Sequence, residues 1–246
     1  MYTDLIFDLY GTLVDIHTEE SEEVWKKTAL YFGYYGAPYT ATALKEAFEK
    51  EIQNRKATAG QSYECFPDIP FHHVMADLFR AKGIHTNADS LGIQAAQLFR
   101  ISSTEYIRIY PHVLESLATL RKKGFRLWLL SNAQEVFTRF ELNHLGLTGL
   151  FDGIYISSQF GFRKPDRRFF HALLDEQNLN PKQCLMIGND RDTDIAGAKA
   201  AGLDTFYMHT GLTPAGQAPA DPKNPMEFEG DDWKQITEIL CKLKRS

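Results

Sequence analysis

The sequence is poor in cysteine. Its three cysteines, Cys65, Cys184 and Cys241, lie far apart in the chain and form no CxxC pair. This number and spacing predict free thiols rather than a disulfide framework or a zinc site. Free thiols in turn indicate a reducing compartment.

Long apolar runs are also missing. No uninterrupted apolar stretch of the sequence approaches the roughly 20 residues that a bilayer-spanning helix needs. The first residues, Met1 to Asp4, contain no basic segment followed by an apolar stretch, so no signal peptide is expected. We therefore predict a cytoplasmic protein that has no membrane partner.

The chain has no excess of positive charge. Its 27 Lys and Arg residues against 32 Asp and Glu residues give a formal net charge of −5. Proteins that bind nucleic acid usually carry a basic stripe, so no nucleic-acid partner is expected. A local site can still be positive in an acidic protein, which leaves a small anionic substrate open. The oligomeric state also stays open between monomer and homodimer.

Two hydrophobic patterns divide the chain. Leu5–Phe7 is a short apolar run typical of a buried strand, and residues from about 18 to about 100 show helical spacing with almost no β-branched runs. After Pro111, short apolar strands alternate with amphipathic helices. The predicted strands there are 127–130, 153–156, 184–187 and 205–208, the predicted helices are 113–123, 136–145, 169–176, 195–201 and 233–243, and 211–231 is predicted to be a loop.

Alternating strands and helices predict an α/β fold with a parallel sheet covered on both faces. We predict a Rossmann-like core formed by residues 1–16 and 103–246, into which an all-helical cap domain, residues 17–102, is inserted. Ligands of such sheets bind beyond the carboxyl ends of the strands. The polar residues that follow each strand should therefore converge.

Several polar side chains stand at these strand ends. They are Asp8, Ser131, Asn132, Lys164, Asn189, Asp190 and Asp194. Carboxylates brought within a few ångströms repel one another, and a nearby cation relieves that repulsion. Lys164 supplies one positive charge, and a bound Mg²⁺, which prefers oxygen ligands, would supply two more. A carboxylate, cations and hydroxyl or amide donors together are suited to nucleophilic attack on phosphorus.

These segments resemble the four motifs of the haloacid dehalogenase-like superfamily, in order. The segment Phe7–Asp15 (FDLYGTLVD) resembles the first motif, Ser131-Asn132 the second, Lys164-Pro165 the third, and residues 188–190 with 194–198 the fourth. The resemblance implies a Rossmann-like core, and the insertion between the first two motifs is similar to the helical cap of the family's first cap class. Most members are Mg²⁺-dependent phosphatases, and that cap usually closes over small substrates.

The resemblance also implies a role for each residue. The catalytic residues would be Asp8, as covalent nucleophile, with Tyr10, Lys164 and Asp194. The phosphoryl group of the substrate would be bound by Thr12, Ser131, Asn132 and Lys164. The magnesium ligands would be Asp8, the Tyr10 carbonyl, Asn189 and Asp190. The implied reaction is phosphate-ester hydrolysis of a small phosphorylated metabolite through an aspartyl-phosphate intermediate.

The sequence departs from the phosphatase pattern at two positions. Family phosphatases usually carry a second Asp two residues after the nucleophile, where this chain has Tyr10, and Asn189 stands where they commonly hold a metal-binding Asp. The family's metal-free 2-haloacid dehalogenases also have Tyr at the first position, since halide leaves carbon without being protonated. For their halide-binding arginine this chain offers only Arg55 as a candidate. A dehalogenase-like hydrolase and a weakly catalytic member that binds phosphorylated ligands are therefore the alternatives.

Overall fold

The computed structural model of the protein describes residues 2–58 and 66–243. Cys184 and Cys241 are free thiols, as predicted, whereas Cys65 lies outside the described residues. The strands are β1 (Asp4–Phe7), β2 (Val14–Thr18), β3 (Thr104–Ile109), β4 (Arg126–Ser131), β5 (Gly153–Ile156), β6 (Cys184–Gly188), β7 (Asp204–His209) and β8 (Glu227–Glu229). The helices are α1 (Glu22–Tyr34), α2 (Ala41–Thr58), α3 (Phe71–Arg80), α4 (Ala88–Ser103), α5 (Val113–Lys122), α6 (Glu135–His144), α7 (Arg167–Glu176), α8 (Ala196–Ala200) and α9 (Trp233–Lys242).

A six-stranded sheet organises the larger part of the molecule. Its strand order is β5-β4-β1-β6-β7-β8, and every neighbouring pair is parallel. Successive residues of β1 pack on opposite faces, because Leu5 and Phe7 join one apolar cluster and Ile6 joins the other. Both faces are thus buried under helices, which explains the continuous apolar runs. The predicted α/β, Rossmann-like fold class is confirmed.

The helices α1 to α4 pack around an apolar cluster of their own. Phe32 of α1 and Phe79 of α3 are fully buried there, and their rings stack with centroids 3.9 Å apart. Trp25 meets the edge of Phe99 in the same cluster. The helical pattern of this stretch is therefore explained by packing of the helices on one another. The proposed cap bounds, residues 17–102, stay a prediction.

The sequence did not predict three short strands. β2 and β3 form an antiparallel pair that brackets the four helices, and their partly exposed residues lack a buried apolar run. β8 lies within the predicted 211–231 loop, so that prediction was wrong for Glu227–Glu229. This edge strand joins β7 through its backbone, and its Glu-Phe-Glu sequence gives no strand signal.

No helix among the described residues is both long and apolar enough to cross a lipid bilayer.

Candidate active site

The side chain of Asp8 lies at the carboxyl end of the central strand β1. Its backbone amide donates to the carbonyl of Ile187 (3.0 Å), so the ladder with β6 continues one residue beyond β1. Ser131 ends the neighbouring strand β4 on the other side, and Asn189 follows β6. Because all three strands are parallel, these residues meet at one edge of the sheet. The convergence predicted from the strand ends is therefore observed.

Lys164 joins two of the acidic residues at this edge. Its ammonium lies 2.7 Å from Oδ1 of Asp8 and 2.7 Å from Oδ1 of Asp194. It also donates to the carbonyl of Leu130 at 2.7 Å. The Lys164 side chain is only 1% exposed, and its three protons are matched by these three acceptors. Lys164 therefore fixes the orientation of Asp8 and balances its charge.

Asp194 is buried on the far side of this ammonium. Burial raises its pKa to about 7, and the negative charge of Asp8 acts in the same direction, while Lys164 opposes both. The backbone amide of Asp190 donates to Oδ2 of Asp194 at 3.1 Å. Gly188 packs against the Asp194 carboxylate so closely that a Cβ atom there would lie 2.3 Å from Oδ2. The glycine thus makes room for this side chain.

Asn132 and Ser131 differ in how they are bonded. Both ends of the Asn132 amide bind the backbone of Lys164, because Nδ2 donates to its carbonyl (3.0 Å) and Oδ1 accepts from its amide (2.8 Å). The Ser131 hydroxyl is buried and has no hydrogen-bond partner within residues 2–58 and 66–243. A buried hydroxyl without a partner is costly, so Ser131 has a hydroxyl left to bind a ligand oxygen, whereas Asn132 is the one of the two that lines the pocket beside Asp8.

The fourth predicted segment holds its carboxylate and amide by local bonds. Oδ1 of Asp190 accepts from the amides of Asp192 (2.8 Å) and Thr193 (3.3 Å), which caps the wide helical turn Arg191–Ile195. Asn189 is buried, and its Oδ1 accepts from the Thr12 hydroxyl at 3.3 Å. Its amide lies against Gly11, where a Cβ atom would come within 2.3 Å of Nδ2.

The Thr12 hydroxyl also reaches Oδ2 of Asp8, at 3.5 Å. Gly11 has φ of +85°, a conformation that glycine adopts without strain. The turn after Asp8 therefore needs a glycine both for its backbone and for the close approach of Asn189. Thr12 itself is buried beneath this turn.

Seven of the predicted site residues line one pocket of about 180 Å³. They are Asp8, Tyr10, Asn132, Lys164, Asn189, Asp190 and Asp194. Three lining residues were not predicted, namely Thr193, Leu212 and Pro214. Thr193 stands just before a helix, where threonine is an ordinary capping residue, and the other two lie in the Pro- and Gly-rich segment 211–226, where no periodicity marks a functional residue.

The segment 211–226 is held against the pocket by several bonds. Gln217 accepts from the amide of Arg191 (2.7 Å) and donates to Oδ1 of Asp190 (2.7 Å). The Arg191 guanidinium stacks 3.9 Å from the ring centre of Tyr207 and pairs with Glu227 at 2.7 Å. It also donates to the carbonyls of Ala218 and Pro219.

The Tyr10 hydroxyl binds residues of α6. It donates to Glu141 in a short hydrogen bond and lies 3.1 Å from the Thr138 hydroxyl. Burial raises the pKa of Tyr10 far above its usual value, and the charge of Glu141 adds to this effect. A phenol with such a pKa keeps its proton at neutral pH and is a poor general acid. Glu141 was not predicted, because a glutamate on a helix gives no such signal.

Arg55 does not line this pocket. Its guanidinium pairs with Glu51 of α2 at 2.9 Å and with Asp77 of α3, so these partners already satisfy its charge. The sequence had offered it only as a candidate for a halide-binding arginine, and its contacts do not support that role.

Within residues 2–58 and 66–243, no three His, Cys, Asp or Glu side chains form a metal-holding group by themselves. The reason is visible in the contacts: Lys164 stands between Asp8 and Asp194, and amides occupy Oδ1 of Asp190. The repulsion among these carboxylates is therefore partly relieved by protein donors. The electrostatic argument from the sequence does not by itself require a divalent ion.

Comparisons with known proteins bear on this site. Over 135 residues the chain is 33% identical to a glyceraldehyde 3-phosphate phosphatase of Methanothermobacter thermautotrophicus, a match that covers 54% of this chain and only 59% of that protein. It is 29% identical to haloacid dehalogenase-like hydrolase domain-containing protein 3 of Bos taurus, over 89% of this chain and 84% of that protein.

A solved structure extends the comparison to the fold. The 2-haloacid dehalogenase of Pseudomonas syringae superposes with a TM-score of 0.68 at 20% identity, over 99% of this chain and 100% of that one. At this identity the likeness concerns the fold alone. The model of the haloacid dehalogenase-like hydrolase family matches residues 5–202. Because that match spans most of the chain and contains all four motifs, this protein belongs to the haloacid dehalogenase-like hydrolases.

Proposed function

We propose that the protein is a Mg²⁺-dependent phosphohydrolase that acts on a small phosphorylated metabolite through an aspartyl-phosphate on Asp8. The observation that carries the proposal is the buried ion pair of Asp8 with Lys164 at the carboxyl ends of the parallel strands. The pair holds the Asp8 carboxylate in one orientation beside a positive charge, as a nucleophile requires. The phosphatase names of relatives such as the Methanothermobacter protein give independent support.

The proposed reaction has two displacements at phosphorus. An oxygen of Asp8 attacks the phosphorus atom, the bond from phosphorus to the ester oxygen breaks, and the leaving group departs with the electron pair. Water then attacks the phosphorus of the aspartyl-phosphate, the bond to the Asp8 oxygen breaks, and inorganic phosphate is released. The proton lost by water offsets the one taken up by the leaving group, so the Asp8 carboxylate is regenerated.

Three groups would bind the transferring phosphoryl group. Ser131 has a buried hydroxyl free to donate, and the second N–H of the Asn132 amide is a further donor. Lys164 holds Asp8 before the attack, and its bond to Oδ1 becomes available to a phosphoryl oxygen once Asp8 is esterified. Thr12 orients Asp8 and Asn189 from beneath.

The oxygen donors at the pocket fit Mg²⁺. This ion is usually held by one or two carboxylates, with substrate phosphate and water completing its shell, so a cage of three carboxylates is not needed. Oδ1 of Asp190 accepts from Asp192, Thr193 and Gln217, so Oδ2 would be the oxygen that Asp190 offers to the ion, beside Asp8, Asn189 and the Tyr10 carbonyl. When bound, the ion would neutralise charge on the phosphoryl oxygens. Asp194 would orient this shell through its bond from the Asp190 amide.

The bonding of Tyr10 is compatible with both alternative functions, the dehalogenase and the protein that only binds phosphorylated ligands. Since its hydroxyl is bound to Glu141, it does not supply the acid that family phosphatases take from the residue at this position. A dehalogenase needs no such acid, and a member that only binds phosphorylated ligands needs none either. A cytoplasmic location and a monomeric or homodimeric state remain our predictions.

A substrate panel tests these functions. Purified protein is assayed with p-nitrophenyl phosphate, acetyl phosphate, nucleotides, sugar phosphates and 2-chloropropionate, in Mg²⁺ and in EDTA. We expect Mg²⁺-dependent phosphate release that falls about 1,000-fold or more in Asp8→Asn, because the nucleophile is lost. Asp15→Asn is the control, since Asp15 pairs with Arg108 outside the pocket.

The other outcomes assign the alternatives. Chloride release that persists in EDTA would establish the dehalogenase function. Binding of phosphorylated compounds without any turnover would show that the protein binds such ligands and does not hydrolyse them. Full activity of Asp8→Asn would exclude covalent catalysis by this residue.

A further inference from the structure

Helix α4 of the helical insertion meets helix α6 of the sheet domain over the Tyr10 side chain. Arg100 of α4 donates two hydrogen bonds to Glu141 of α6, from Nε to Oε1 (2.6 Å) and from Nη2 to Oε2 (3.0 Å). The same carboxylate accepts from the Tyr10 hydroxyl. The Arg100 guanidinium also lies over the rings of Tyr10 (5.4 Å) and Phe137 (4.7 Å).

This cluster is largely buried, at the side of a hollow of about 440 Å³. The side chains of Arg100 and Glu141 are 17% and 9% exposed. A buried ion pair is retained only where good geometry and further hydrogen bonds offset the loss of hydration. Here Arg100 supplies the good geometry through its two hydrogen bonds to Glu141, and Tyr10 supplies a further hydrogen bond to the same carboxylate. Such two-pronged arginine contacts tolerate little displacement. The cluster therefore specifies one arrangement of α4, α6 and Tyr10.

Tyr10 connects the cluster to the site. It lines the pocket of Asp8, and it belongs to the turn that follows Asp8. A movement of α4 relative to α6 must either break the Arg100–Glu141 contact or shift the partner of the Tyr10 hydroxyl. The position of the helical insertion and the geometry of the nucleophile turn are thus linked through one carboxylate.

We propose that Glu141 and Arg100 are positioning residues, which hold Tyr10 and the nucleophile turn, residues 8–14, in register with helix α4. Neither side chain contacts Asp8 or the atoms expected to react. Their effect on catalysis passes through Tyr10, and its kinetic part rests on the proposed hydrolase function.

Hydrogen exchange tests the link without any substrate. In Glu141→Gln, which keeps the size of the side chain but removes its charge, amide exchange of residues 8–14 should rise about tenfold, the scale expected for coupled neighbours. The matched control is Glu135→Gln on the same helix, because Glu135 also pairs with an arginine, Arg139, but on the exposed surface. This control should leave exchange in the turn unchanged. If Glu141→Gln fails to fold, Arg100→Lys serves, since it keeps the charge and loses the fork.

A double-mutant cycle gives the kinetic test. Glu141→Gln and Tyr10→Phe should each lower kcat, and the double variant should be no slower than the slower single variant, because both act through the same hydrogen bond. Losses that multiply, or exchange in Glu141→Gln equal to that of Glu135→Gln, would overturn the proposal. A wild-type protein that releases no phosphate would refute only the proposed function, since the exchange measurement still judges the link.

Discussion

At the scale of single residues, Tyr10 should limit which phosphate esters the proposed phosphohydrolase can hydrolyse. Tyr10 lines the pocket, yet its hydroxyl donates to Glu141 and its pKa is raised by burial. Tyr10 therefore supplies no proton to a poor leaving group. General acid catalysis contributes about 100- to 10,000-fold where it operates, so its loss should be visible in the choice of substrate.

We therefore expect acyl and aryl phosphates to be hydrolysed far faster than alkyl phosphates. The measurement is kcat/KM for a series of phosphate esters, plotted against the pKa of the leaving group. Tyr10→Phe removes only the hydroxyl and should change the level of the plot but not its slope. A steeper slope in Tyr10→Phe would mean that Tyr10 does protonate the leaving group.

At the scale of elements, the segment 211–226 is a wall of the site that Arg191 helps to hold in place. Leu212 and Pro214 line the pocket, while Arg191 binds Glu227 and the carbonyls of Ala218 and Pro219. The segment has little regular structure, so these contacts help to order it, together with the bonds of Gln217 to Asp190 and to the Arg191 amide. Substrate binding should accordingly depend on a residue that does not itself line the pocket.

Arg191→Ala should increase amide exchange in residues 211–226 and raise KM several-fold, with a smaller change in kcat, because the wall loosens while the nucleophile stays in place. Arg121→Ala is the control, since Arg121 is anchored in a similar way, to the Leu150 carbonyl and Asp152, on the other side of the molecule. Equal effects of the two substitutions would show that general loosening, and not the wall, is responsible.

The strands and helices that could be predicted from the sequence are those whose apolar residues form a pattern within a short stretch of chain. The core strands were found because each is an apolar run that ends in polar residues, and the site followed because parallel strands present those ends together. Contacts that depend on distant partners were not predicted. Glu141 lies 131 residues from Tyr10, and nothing in its neighbourhood distinguishes it from a solvated helix residue. β8 and the pocket wall at Leu212 were missed for the same reason. Neither backbone pairing with another strand nor a position beside the pocket leaves a periodic pattern in the sequence.

At the scale of the whole molecule, the Asp8 pocket lies in the sheet domain, whereas the helical insertion has an apolar core of its own. All residues that line the Asp8 pocket come from the predicted core ranges, whereas α1 to α4 pack on a cluster of their own. Contacts such as Arg100–Glu141 join the two parts, but few large apolar side chains are shared between the clusters. The insertion should therefore be able to lose its packing while the sheet stays folded.

Phe79→Ala tests this independence. Phe79 is fully buried against Phe32, so its truncation should cost about 3–5 kcal/mol of stability in the helical insertion. Tyr34→Ala is the matched aromatic control, because Tyr34 is 80% exposed and its loss should change stability by about 0.5 kcal/mol or less. Hydrogen exchange should show α1 to α4 losing protection in Phe79→Ala while β1, β4 and β6 keep theirs. If strands and insertion lost protection together, the molecule would be one cooperative unit, and the proposed boundary between residues 17–102 and the core would be wrong.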